Sequence, residues 1–264
     1  MTGVSVGLLC LLLWHIGSEG ARWLDWQFLT SLPSRRAAEA GIIAGLAGTV
    51  WLICFTVLFA VPIGVASAIY LEEYARPSRL NRLIQINIAN LAGVPSVVYG
   101  LLGLAVFVRW FELGRSIWAG SLTMSLLILP VIIIAAREAL RAVPQSLRQA
   151  SFALGATRWQ TVWHHVLPSG LPGILTGVIL AVSRAIGETA PLIMIGVPAY
   201  VNFVPRQPGD EFSVLPMQVF NWTSKPQAEF QELAAAGIIV LLVVLLTLNA
   251  SALAIRQRFN RSHR

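Results

Sequence analysis

Between residues 181 and 197 the chain reads AVSRAIGETAPLIMIGV, and from 171 to 201 Arg184 and Glu188 are the only formally charged residues. A charge near the centre of a membrane helix costs ~2.5–3.5 kcal/mol on insertion scales, so such residues face protein or a water-filled path. A guanidinium offers a planar fork of donors that matches the oxygens of a tetrahedral oxyanion. The i, i+4 spacing puts Arg184 and Glu188 on one helical face, where a mutual ion pair can form. Two uses are open: the pair pins helices together, or the cation meets an anion in transit while Glu188 holds or releases it. Thr189 either donates its hydroxyl to that anion or bonds back to its own helix. Gly187 permits close helix approach and Pro191 loosens the local hydrogen-bond ladder. Ser96 and Tyr99, beside the interruption at Pro95, are weaker polar candidates.

A second group lies in REALRAVPQSLRQASFALGATRWQTVWHHVLPSGLPG, residues 137–173, too polar to span a bilayer and too patterned for a plain loop. Leu140, Val143, Leu147, Ala150 and Leu154 recur at helical spacing as one apolar stripe. Pro144 suits a first helical turn, and Gly155 stands where a C-terminal cap of positive φ is wanted. Thr157 with Gln160 matches a capping box that opens a second helix, which Pro168 is expected to end. This helix-turn-helix carries net charge +3 over residues 137–158. Arg148 and Arg158 are expected to face a partner, although a loop resting on anionic lipid has the same composition.

The elements that must position these groups are membrane helices. Of 264 residues 56% are hydrophobic and only 12% charged, with mean hydropathy +0.71, which places the chain in a bilayer. Apolar runs at 41–70, 84–108, 117–136, 171–197 and 233–255 are long enough to span; 4–16 is short, and is read as a first spanning helix against a signal peptide or a truncated helix. With both termini inside, the segments 71–82, 137–170 and 256–264 hold 11 of the 19 lysines and arginines against seven on the other side. That asymmetry supports the orientation and accounts for the net charge of +7 without nucleic acid. Glu72 and Glu73 sit near Arg76 and Arg79 and read as an interfacial charge cluster. Cys10 and Cys54 fall in apolar helices and read as fillers rather than a disulfide or a metal site. Adjacent His164 and His165 point to different faces, which does not suit a metal.

EALRAVPQSLRQASFALGATRWQTVWHHVLP resembles the EAA loop of ABC importer permeases, with Glu138, Ala139 and Leu140 as the first triplet, Gly155 as the glycine, and Val166, Leu167 and Pro168 as the close. The stretches AIYLEEYA, LAGVPSVVYGLLGLAVF, ALGATRWQTV and SRAIGETAPL are similar to phosphate-importer permeases, and GETAPL with the final outer loop and helix to the PstA type. This resemblance implies an all-α, six-helix type I ABC importer transmembrane domain over 41–255, preceded by a first helix and extracytoplasmic loop (1–40) and followed by a basic cytoplasmic tail (256–264). It implies a substrate path through Arg184, Glu188 and Thr189, and ATPase coupling through Glu138, Ala139, Gly155, Ala156, Thr157 and Arg158. Implied partners are a PstC-type permease, two copies of a PstB-type ATPase and a PstS-type phosphate-binding protein docked on outer loops, especially residues 196–232. The implied location is the bacterial inner membrane. No G-x-x-x-x-G-K-[ST] loop occurs in the chain, so ATP and Mg²⁺ are expected to be used by the partner and no cofactor by this chain. Kept beside this are a permease for sulfate or molybdate, a membrane lipid-phosphate enzyme, and an assembly subunit without a path.

Overall fold

The structure, a computed structural model, describes residues 2–261. Helices follow one another as α1 (Thr2–Gly20), α2 (Trp26–Thr30), α3 (Ile43–Ile69), α4 (Arg79–Ala92), α5 (Ser96–Gly103) and α6 (Ile117–Arg141). Beyond them come α7 (Gln145–Ala153), α8 (Arg158–Thr161), α9 (Leu167–Ile186), α10 (Ala190–Ile195), α11 (Leu215–Thr223) and α12 (Ala228–Arg261). Among the described residues the only β pairing is an isolated bridge between Ser116 and Glu211. Five helical runs are long and apolar enough to cross a membrane, and the bent pair α4–α5 makes a sixth crossing. This is the expected six-helix, all-α architecture.

α6 is the central post, packed against α3 on one side and α9 on the other, with Leu52, Met124, Ile128, Ile132 and Ala181 in one core cluster. α1 lies antiparallel along α12: its C-terminal end reaches Ala235 and Ala236. Arg256, far along α12, donates to Thr176 Oγ1 in the first half of α9 (3.0 Å). These contacts put the described ends of the chain on the same face as the 137–170 segment. Residues 262–264 of the expected tail lie outside the described residues, and 256–261 continue α12 as helix rather than leaving it.

Four expectations need correction. The run at 84–108 is not one continuous helix: α4 and α5 meet at 101°, because Pro95 lacks the N–H that would continue the ladder and the residue before it avoids helical geometry. The run at 171–197 is likewise two helices, broken at Gly187–Thr189. Pro168 does not stop the second loop helix; α8 passes through a π-helical turn, Val162–Val166, straight into α9, and one helix runs Arg158–Ile186. Proline near the start of a helix forfeits little, and the wider π turn absorbs the misfit. Finally, the first helix is longer than 4–16, with an apolar stretch of Val4–Trp23.

A π-helical turn, Tyr70–Tyr74, extends α3 to a continuous 32 residues, Ile43–Tyr74. At 1.5 Å per residue that is roughly 48 Å, well beyond the ~30 Å hydrocarbon core, so its end projects from the bilayer toward the 137–170 segment.

Candidate functional site: two broken helices and a polar inner loop

The two interruptions lie side by side. α5 packs on α10, and Ser96, the first residue of α5, donates its hydroxyl to Glu188 Oε1 at 2.8 Å. Glu188 is therefore not the ion-pair partner of Arg184. The i, i+4 argument assumed a continuous helix, and α9 ends at Ile186, two residues before the carboxylate. Of the weaker candidates, Ser96 joins the centre, while the Tyr99 hydroxyl donates to the Leu91 carbonyl (2.9 Å), the acceptor that a non-proline residue at 95 would have reached. Tyr99 closes the break rather than facing a path. Thr189 stands at the N-cap of α10, and its side chain does not make the bond back to its own helix.

Arg184 occupies the last turn of α9 and is exposed. It borders a narrow crevice with Leu91, Tyr99, Leu127, Ile128 and Val131. Leu127–Val131 is the middle of α6, so the guanidinium sits at the mid-depth of the bundle. Among the described residues it forms no hydrogen bond or ion pair within the chain. The half-helices α5 and α10 begin beside it, the arrangement by which broken membrane helices bring polar backbone ends to a substrate at mid-bilayer.

On the inner face the loop folds as expected in its turn. Gly155 has φ +82°, and its N–H bonds the Phe152 carbonyl at 2.9 Å. Thr157 and Gln160 form the full capping box. Ser151 and Thr161 hydroxyls meet at 2.9 Å and fasten α7 to α8. Thr157 and Arg158 are exposed and Ala156 half-buried on this turn; Glu138 pairs with Arg141 at 3.2 Å. Ala139 faces α9, where a Cβ added to Gly173 would stand 2.7 Å from its own. The apolar stripe does not hold. Leu140 and Val143 are buried, but Leu154 is 89% exposed, because α6 ends at Arg141 and α7 restarts the helical phase at Gln145. Leu154, Phe152 and the stacked rings of Trp159 and Trp163, 5.6 Å apart, form an outward apolar surface.

Arg148 does not face a partner either. Its side chain is 10% exposed and holds Glu73 with Nη2–Oε1 at 2.6 Å, while Nη1 and Nη2 donate to the Val143 and Leu140 carbonyls at 2.7 and 2.9 Å. Glu72 accepts from Arg137 (3.3 Å) and from Arg141 (3.1 Å). The glutamates thus engage arginines 65 to 75 positions away rather than Arg76 and Arg79. Nothing local in the sequence pointed to this; the adjacent pair EE at the end of a long apolar run was the available signal.

On the outer face most of the long loop is not free. α11 is buried at Leu215, Met217 and Trp222, with Gln218 Nε2 donating to the Gly41 carbonyl (2.8 Å) and the Leu215 N–H donating to Thr49 Oγ1 (2.9 Å). The turn 206–210 lies at the surface, and there Asp210 accepts from the N–H groups of Arg206 and Gln207 at 2.9 and 3.0 Å. Those bonds lower its carboxyl pKa from the ordinary value. A cavity of about 560 Å³ opens beside it, lined by Thr30, Leu32, Phe203 and Arg206.

A bundle with broken helices at its centre, a long helix-turn-helix on one face and no strand-built domain is the transmembrane fold of type I ABC importers. The chain superposes on a chain of a bacterial alginate ABC transporter crystallised with its pentasaccharide-bound periplasmic protein, with TM-score 0.67 at 15% identity, covering 97% of this chain and 94% of that one. Residues 60–262 match the model of the binding-protein-dependent transport system inner membrane component, and the chain belongs to that family. Among curated relatives, the phosphate transport system permease protein PstA of Yersinia pestis is 33% identical over 245 residues, covering 91% of this chain and 82% of that protein. The probable ABC transporter permease protein YqgI of Bacillus subtilis is 32% identical, covering 94% and 89%. The chain is thus a multi-pass inner-membrane transport subunit of an ABC importer.

Proposed function

We propose that the chain is the PstA-type half of an ATP-driven phosphate importer, paired with a PstC-type permease, two copies of a PstB-type ATPase and a PstS-type phosphate-binding protein. Both termini and the 137–170 segment would then be cytoplasmic, ATP and Mg²⁺ would be used by the ATPase, and this chain would need no cofactor. The observation that carries the reading is Arg184: a guanidinium at mid-depth, unpaired among the described residues, beside the starts of two half-helices. Phosphate arriving there exchanges its hydration for bidentate donors, and the polar α5 and α10 ends lower the cost of holding a charge away from bulk water. Glu188, held by Ser96, sets an upper bound on how far an anion advances, because like charges repel in a low-dielectric path. Relatives named as phosphate permeases supply the choice of oxyanion. Coupling would run through the exposed Gly155–Arg158 turn and its flanking Leu154 and Trp159, with Glu138 and Ala139 seating the loop against α9.

The test is reconstitution of the four-component system in liposomes. Phosphate-dependent uptake and ATP hydrolysis, with sulfate and molybdate inert, are the expected outcome. Uptake of sulfate or molybdate in place of phosphate would make the chain a permease for another oxyanion, and ATP hydrolysis indifferent to all three would remove the oxyanion reading.

A further inference from the structure

Between the end of α3 and the inner loop lies a charge cluster that the transport path does not use. The π turn at Tyr70–Tyr74 gives adjacent Glu72 and Glu73 orientations that an unbroken α-helix would not, and both reach the loop. Glu73 and Arg148 are each only 10% exposed. Arg148 spends four of its five N–H donors: Nε and one Nη2 hydrogen on Glu73, and one hydrogen from each Nη on the carbonyls that end α6. One side chain carried by α7 therefore holds α3 and α6 at once.

We propose that Arg148 and Glu73 are positioning residues that carry displacement of the inner loop into α3, the helix packed along the central post. The proposal rests on the reading that the loop docks on an ATPase. The geometry gives the reason. α7 is nine residues long; Ser151–Thr161 ties it to α8 and so to α9, and the Arg148 fork is the polar tie that joins it to α3 and α6, so a push on the exposed turn at Gly155 reaches α3 through that fork. A guanidinium bound in a fixed fork transmits both displacement and rotation; a single flexible bond transmits neither. Glu72, bonded to Arg137 and Arg141 of α6, sets the height of α3 against the post and leaves the mobile loop to Glu73.

Hydrogen exchange on the assembled complex tests this without reference to the transported ion. In the wild type, binding of the ATPase with a non-hydrolysable ATP analogue is expected to change exchange at 145–161 and at 66–75 together. In Glu73→Gln the change at 145–161 should persist while that at 66–75 falls at least threefold. Glu73→Asp and Arg148→Lys, which keep the charge and lose part of the fork, should fall between. An undiminished response at 66–75 in Glu73→Gln, or in both milder variants if Glu73→Gln does not accumulate, would overturn the proposal. Absence of any change at 145–161 in the wild type would overturn the docking reading and, with it, this inference, whereas the first result leaves docking standing.

Discussion

Arg148 and Arg184 are two of the three cations that the sequence set apart, Arg158 being the third, and the fold treats these two in opposite ways. Arg148, expected to face a partner, is buried with its donors satisfied by Glu73 and two helix-end carbonyls. Arg184, for which the helical spacing offered Glu188 as a partner, is exposed beside a crevice and has no partner among the described residues. A charge whose donors are spent on its own chain ties elements of that chain to one another and leaves little for a ligand. A charge left unspent at the depth where every charge is costly has a use only if something outside the chain meets it.

The strongest way to break the contrast is Arg184→Ala. If the guanidinium meets the anion, losing about two charge-assisted hydrogen bonds at ~1.5–3 kcal/mol each should lower uptake by roughly 100-fold or more, with complex yield near normal. Arg184→Lys keeps the charge without the fork and should lose roughly tenfold. Radiolabelled phosphate uptake per purified complex decides it. A loss of yield in step with uptake, leaving the rate per complex unchanged, would make Arg184 a structural pin after all.

The complementary pair is Arg148→Met and Arg184→Met, compared by thermal melting in detergent. Removing Arg148 strands the buried Glu73 carboxylate, a change that costs ~3–5 kcal/mol where one partner of a buried pair is deleted. Removing Arg184 strands nothing in the chain, so its midpoint should stay within a degree or two of wild type. Equal losses would erase the distinction drawn here.

How much of this was legible follows from range. Local signals held: the capping box at Thr157 and Gln160, the positive φ at Gly155 and the break at Pro95 are set by residues within a turn of one another. Glu73–Arg148 joins positions 75 apart and could not be read locally. The Arg184–Glu188 pair failed for a different reason: spacing on a helix was used where Gly187 ends the helix, and a glycine followed by a helix-starting Thr-Ala-Pro was the overlooked stop signal. The same blindness to tertiary packing left α11 unrecognised inside the outer loop 196–232, although LPMQVF has the apolar spacing of a buried turn.

Gly155→Val is a smaller perturbation. No atom lies within 4 Å of a Cβ placed there, so the whole effect is backbone: a β-branched residue at φ +82° costs ~1–2 kcal/mol. The turn should open, weakening ATPase recovery by membranes in a pull-down while α3 and α6 keep their packing. Gly155→Asn, a residue that tolerates this conformation, should recover most of the binding. Full binding and transport in the valine variant would remove the turn from coupling.

The smallest effect is on the outer face and turns on pH. Asp210 belongs with Arg148 rather than Arg184, since its carboxylate is spent on the N–H groups of Arg206 and Gln207, and its backbone carbonyl receives the N–H of Ile117 at the start of α6. Those bonds favour the charged form and depress the pKa in the folded protein. The sign follows: the contribution is fully present above the unfolded value, near 3.9, and is lost as pH falls through the lower folded value. Asp210→Asn should therefore lower the melting midpoint by the same small amount at pH 7 and pH 5, and the gap to wild type should close only in stronger acid. The surface position, half-exposed, keeps the effect slight, because water competes for both N–H groups. A gap that narrowed already between pH 7 and pH 5 would mean that Asp210 titrates above the ordinary range, as a carboxylate facing an anion path does, and would move it from the saturated class to the unspent one.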